Sequence, residues 1–218
     1  MNYKDISQEA IDNHIDRIVE VTESIETGKV TILTGGNASG KSVIRKLLNT
    51  RLSKKLGKEK GVTSSVSMEL RTSGNSGLMG TGLDHMHTDL PWTSTGEHTL
   101  DLVCNLLKSN TSEKTAKENR RYIIIDELET GLSKEVLLGV CNLLNNEMDN
   151  ILKNSYGVLL ITHSDEVVTK VKHDVFINIE GMTEEEWLNR EIVPVSPDDI
   201  REWALALFRG IRNREKSK

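Results

Sequence analysis

Apolar residues recur at Ile11, Ile15, Ile18 and Val19, a spacing of i, i+4, i+7 and i+8 that predicts an amphipathic helix ending near residue 25, within an N-terminal region of 1–27. The period then breaks. Gly28 marks a turn, and the run "VTIL" predicts a buried strand over 30–33. Beyond a glycine-rich stretch, Val43, Ile44, Leu47, Leu48 and Leu52 share one face of a second helix. From 64 to 97 the chain turns to Ser, Thr, Gly and Met. It has little period there beyond a short strand around "VSMEL", so 64–97 reads as a long mobile loop. A helix over "EHTLDLVCNLLKSN" and a polar connection, "TSEKTAKEN", follow.

Regular alternation resumes with strand "RYIIID" at 121–126, helix "SKEVLLGVCNLLNNEMDNILKN", strand "GVLLIT" at 157–162, a short helix from Ser164 and strand "DVFINI". Helices around "TEEEWLNR" and "SPDDIREWALALFRGIRNR" fill a C-terminal region of 182–218. Strand–helix units of this length imply an α/β fold, a mostly parallel sheet covered by helices, with 1–218 as a single domain. In "WALALF", Trp203, Leu205 and Phe208 cannot share one narrow stripe, which predicts partial burial on two sides of a docking helix.

Aromatics make up only 4% of the chain, so its core must be built from Ile, Leu and Val. The formal charge of -5 gives no global footprint for nucleic acid or an anionic membrane. The basic runs "KKLGKEK", "NRR" and "RGIRNREKSK" read as solvated faces or frayed ends. Cys104 and Cys141 are flanked by Leu or Val at helical spacing and read as core thiols, which fits a reducing cytoplasm. The N-terminus has no apolar leader region, and no run approaches the ~18 apolar residues that span a bilayer. A cytoplasmic protein without membrane insertion is expected.

The stretch "TILTGGNASGKS" at 31–42 satisfies G-x-x-x-x-G-K-[ST] with Gly35, Gly40, Lys41 and Ser42, and has the strand before and the helix after that the motif requires. Its glycines let Gly35, Gly36, Asn37, Ala38, Ser39 and Gly40 curl so that successive N–H groups face phosphate oxygens, while the next helix adds its dipole. Lys41 would reach the β and γ phosphates, and the Ser42 hydroxyl would ligate Mg²⁺. Asp126, 85 residues after Lys41, ends the apolar strand "YIIID" and is a second candidate for Mg²⁺. Glu127 follows at once, placed to orient or deprotonate an attacking water.

"DELETGLS" at 126–133 resembles the Walker B and D-loop sequence of ABC-type ATPases, and "VLLITHS" puts His163 where that family carries its switch histidine. "TSTGEHTLDLV" resembles a degenerate form of the family's signature, with Ser94 and Gly96 at the positions facing the γ-phosphate and Glu97 following. The second and compatible reading is a helix N-cap with an acidic first turn. The resemblance implies a P-loop NTPase three-layer sandwich that binds ATP and Mg²⁺. It further implies a head-to-tail, ATP-dependent homodimer in which Ser94, Gly96 and Glu97 complete the other subunit's site. His163 would contact the γ-phosphate and Glu127 would position water.

The chain also departs from the family. Only 53 residues separate Lys41 from Ser94, which is short for a Q-loop and helical subdomain, and Glu69 in "SMEL" stands where a Q-loop glutamine is expected. A reduced helical subdomain weakens a transport role, and the spacing leaves no room for a long coiled-coil insertion. Tyr3, the sole aromatic upstream of the loop, is assigned a surface or packing role in preference to base stacking. His85, His87 and His98 lack accompanying carboxylates or cysteines at ligand spacing, so no further metal is read from them.

The expected function is therefore Mg-ATP hydrolysis that drives a conformational change in a protein or nucleic-acid partner. Two alternatives stay open: a nucleotide-gated DNA-, RNA- or protein-binding module with little turnover, and a P-loop kinase. The kinase leaves "DELETGLS" and "ITHS" unexplained.

Overall fold

The structure is a computed structural model that describes residues 2–56, 63–67, 100–101, 103–106 and 120–216. In chain order it has α1 (Gln8–Ser24), β1 (Val30–Thr34), α2 (Lys41–Leu56), β2 (Thr63–Ser67), β3 (Arg121–Asp126), α3 (Lys134–Asn154) and β4 (Ser155–Ile161). Then come α4 (Asp165–Lys170), β5 (Val175–Asn178), α5 (Glu184–Leu188) and α6 (Pro197–Lys216). Residues 100–101 and 103–106 are also helical. The strands hydrogen-bond in the order β2-β3-β4-β1-β5. β2, β3 and β4 run parallel, with Val66 opposite Ile125 and Ile125 opposite Leu160. The fold is α/β with a parallel sheet, and most predicted elements fall within a few residues of their expected places. "VSMEL" is met only in part: β2 starts at Thr63, and 68–70 lie outside the described residues.

The chain divides into two compact units: one of residues up to Ile25, Leu33–Leu48 and Phe176 onward, the other of Glu26–Ile32 and Asn49–Val175. In the first unit, Ser7 caps α1 by accepting the Ala10 N–H, and Ile11, Ile15, Ile18 and Val21 form its buried face. α6 lies close against α1 because Gly210 has no side chain: a Cβ there would come within 2.7 Å of Ile11 Cγ2 and 2.9 Å of Ile15 Cδ1. Arg214 clasps the same pair of helices through the Asp12 and Asp16 carboxylates. Trp203 and Leu207, one turn apart, are buried with Gly210, whereas Leu205 and Phe208 are 48% and 64% exposed. Burial of α6 is thus one-sided, contrary to the expectation from "WALALF". Arg201, Leu205, Phe208 and Arg212 recur at helical spacing on its outer face.

In the second unit, β3 is buried from Tyr122 to Asp126, and α3 buries Leu137, Val140, Cys141, Leu144, Met148 and Ile151. Ser133 and Ser164 cap α3 and α4 by accepting the N–H groups of Val136 and Val167. Asn145 bridges α3 to the end of α4, donating to Lys170 O and accepting from the Lys172 N–H, both at 2.8 Å. The buried Tyr122 hydroxyl donates to Glu26 O at 3.2 Å. Its ring occupies the space beside Gly157, which sits at φ 141°: a Cβ there would be 2.7 Å from Tyr122 Cε2. β4 begins at Ser155, directly after α3 and two residues earlier than expected.

Candidate functional site

The lysine loop belongs to the first unit. It leaves β1 at Thr34, whose hydroxyl accepts from Asn178 Nδ2 at 3.0 Å, and it ends where α2 begins at Lys41. Gly35, Gly36, Asn37, Ala38, Ser39, Gly40, Lys41 and Ser42 are therefore brought together in one turn. Ala38 at φ 57° and Gly40 at φ 97° supply the left-handed curl that a phosphate cradle needs.

Several groups hold the loop's carbonyls. Lys41 Nζ donates to Gly35 O at 3.0 Å and Gly36 O at 2.9 Å. The Tyr3 hydroxyl donates to Asn37 O at 2.9 Å, and His14 Nε2 lies 2.8 Å from Ser39 O, an acceptor that requires the proton on that nitrogen. Burial, followed by the negative charge of Glu180, raises the Tyr3 pKa and keeps the phenol a donor. Glu180 Oε1 itself accepts the Gly36 N–H at 2.7 Å. Among the described residues, the N–H groups of Ala38 and Gly40 have no hydrogen-bond partner, nor does the buried Ser39 Oγ.

The acid end belongs to the second unit. Asp126, 4% exposed, closes β3, and Glu127 turns the chain at φ 56° while its N–H donates to Ile161 O at 2.9 Å. Ala38 and Glu127 are the non-glycine residues with positive φ among those described, a conformation that costs roughly 1–3 kcal/mol and gathers at functional sites. Because Asp126 pairs with Ile161, the segments carrying Glu127 and His163 leave neighbouring strand ends.

Glu129, within "DELETGLS", joins those segments. Its carboxylate accepts the Thr162 hydroxyl at 2.9 Å and the His163 N–H at 2.7 Å. Thr162 Oγ1 accepts in turn from the Ser164 N–H at 2.9 Å, and Ser164 Oγ donates to Glu166 Oε2 at 3.1 Å. Lys134 pairs with Glu166 at 2.8 Å and, with the Ser164 hydroxyl and a backbone N–H, holds that carboxyl down to about 2. Behind this network, burial and then the charge of Glu129 push the Cys141 thiol up to about 11, so it stays an inert core thiol as expected.

Ser94, Gly96 and Glu97, together with Glu69, His85, His87 and His98, lie outside the described residues. Among the described residues, no group of three or more His, Cys, Asp or Glu could hold a metal ion, and no helix is long and apolar enough to cross a membrane. The candidate Mg²⁺ ligands remain Ser42, exposed on the first turn of α2, and Asp126. Compared with protein-family models and with curated proteins, the chain matches none.

Proposed function

We propose that this protein is a Mg-ATP-dependent ATPase of the ABC type, with the P-loop NTPase fold, that hydrolyses ATP as a head-to-tail homodimer. The observation that carries the reading is the lysine loop. It has a left-handed curl at Ala38 and Gly40, carbonyls bonded to Lys41, Tyr3 and His14, and the Ala38 and Gly40 N–H groups left to an anion. Those features fit a nucleotide triphosphate, whose phosphates require backbone donors and a lysine charge.

Lys41 would hold the β and γ phosphates, and Ser42 with Asp126 would hold Mg²⁺, which supplies positive charge to the phosphate oxygens. Glu127 would take the proton of the attacking water, and His163 would contact the γ-phosphate. Ser94, Gly96 and Glu97 of a second copy would close the site. That the two halves serve one nucleotide rests on the order of the motifs along the chain. The cycle would move a protein or nucleic-acid partner.

The test is ATP turnover and mass of the wild type and Glu127→Gln across protein concentrations. The variant is expected to bind ATP and dimerise with it while turnover falls roughly 100-fold or more. Wild-type turnover in the variant with no ATP-dependent dimer would sink the assignment.

A second reading, a nucleotide-gated binding module, draws on the outer face of α6, where Phe208 is exposed beside Arg209 with Arg201 and Arg212 on the same side. It predicts nucleic-acid binding that weakens steeply with salt and on neutralising those arginines.

A further inference from the structure

Outside the groups given a role so far, Glu129 is the side chain that joins the two segments of the acid end. Its two oxygens take two different donors from consecutive residues, Thr162 Oγ1 at 2.9 Å and His163 N–H at 2.7 Å. The N–H bond is at the short end of the N–H···O range, and the hydroxyl bond is of ordinary length. Thr162 is fully buried, and its hydroxyl is oriented from the other side by the Ser164 N–H at 2.9 Å, so its proton is committed to Glu129. The backbone of His163 is therefore anchored from both sides: through its own N–H, and through the residue before it.

Glu129 is anchored as well. Its carbonyl accepts the Leu132 N–H at 3.2 Å, inside the turn that starts at Glu127, where the Thr130 N–H donates to Glu127 O at 3.0 Å. One carboxylate thus ties the turn bearing the candidate base to the segment bearing the candidate histidine.

We propose that Glu129 is a positioning residue for His163: it fixes the histidine backbone relative to the Glu127 turn and sets the turnover rate without touching the nucleotide. This rests on the ATPase reading above. Glu129→Gln keeps the shape but replaces one acceptor oxygen with an amide donor, so either the Thr162 hydroxyl or the His163 N–H loses its acceptor. Catalytic groups displaced by about 1 Å lose on the order of 100-fold in rate. The expected result is a kcat lower by roughly 10- to 100-fold with ATP affinity unchanged within about twofold. Thr162→Val, which removes one of the two bonds, should lower kcat less and in the same direction. It also serves if Glu129→Gln fails to fold.

The deciding measurement is a cycle of Glu129→Gln, His163→Ala and the double variant. If Glu129 acts through the imidazole, the double variant turns over no more slowly than His163→Ala alone. If His163→Ala is slow but Glu129→Gln matches the wild type, or the two losses multiply in the double variant, the positioning role is overturned and the ATPase reading stands. If the wild type does not hydrolyse ATP, the ATPase reading fails and the positioning role falls with it; if it does and His163→Ala is unaffected, the positioning role alone is overturned.

Discussion

The lysine loop and the acid end are both short turns after buried strands, but they are held in different ways. Besides the motif's own Lys41, the loop takes its support from residues outside any motif: Tyr3 on Asn37 O, His14 on Ser39 O and Glu180 on the Gly36 N–H. At the acid end, the supporting contacts of Glu129 have both partners inside the motifs, running from "DELETGLS" to "ITHS". A motif can be self-sufficient in its scaffolding or only a list of the atoms that meet the ligand. Here each kind occurs once.

The largest way to break the comparison is to disturb the strand pair that carries the acid end, at its opposite end, while leaving the loop's own contacts alone. Gly157→Ala sets a Cβ against the Tyr122 ring and strains a φ of 141°, so it should cost about 2–4 kcal/mol in urea unfolding. A cost under about 0.5 kcal/mol would show that Tyr122 has another place to go. Next in size are the loop's outside supports. Tyr3→Phe and His14→Phe each remove one hydrogen bond worth roughly 0.5–1.5 kcal/mol, and should weaken ATP binding about 2- to 10-fold with kcat at saturating ATP preserved. Equal losses in kcat would erase the distinction between the two regions.

The smallest effect is expected from Glu166. Its carboxyl is held below its ordinary value of 4.5, to about 2, so its pairing with Lys134 stabilises the fold fully above 4.5 and is lost as pH falls toward about 2. The pair is solvent-accessible and is worth no more than about 1 kcal/mol. Glu166→Gln should flatten the stability profile in that window and leave it unchanged at pH 7 to within this amount.

Much of the framework was legible from period and motif. Val30–Thr34, Arg121–Asp126 and Lys134–Asn154 are uninterrupted apolar or amphipathic runs whose burial follows directly from their pattern. The supports of the lysine loop were harder to read, because a single polar side chain reaching a carbonyl leaves no period. Glu180 carries no such signal at all. His14 did leave a trace, since it lies on the same helical face as Ile11, Ile15 and Ile18, where a histidine needs a partner. Glu129 was quoted within its motif but unassigned, because only the pairing of β3 with β4 brings it to Thr162. The two-sided burial expected for α6 failed because the fold covers only the side carrying Trp203 and Leu207.

The resting place of Lys41 alters what its charge means. With at least two carbonyl oxygens, Gly35 O and Gly36 O, at 3.0 and 2.9 Å, the ammonium already has partners before any anion arrives. Capture is then an exchange, in which an incoming ligand must offer the lysine more than the loop already does. On the proposed ATPase reading, a chain of phosphates would meet that demand better than a solitary weak anion. The loop would then act as a comparator, set by its own backbone to count charges.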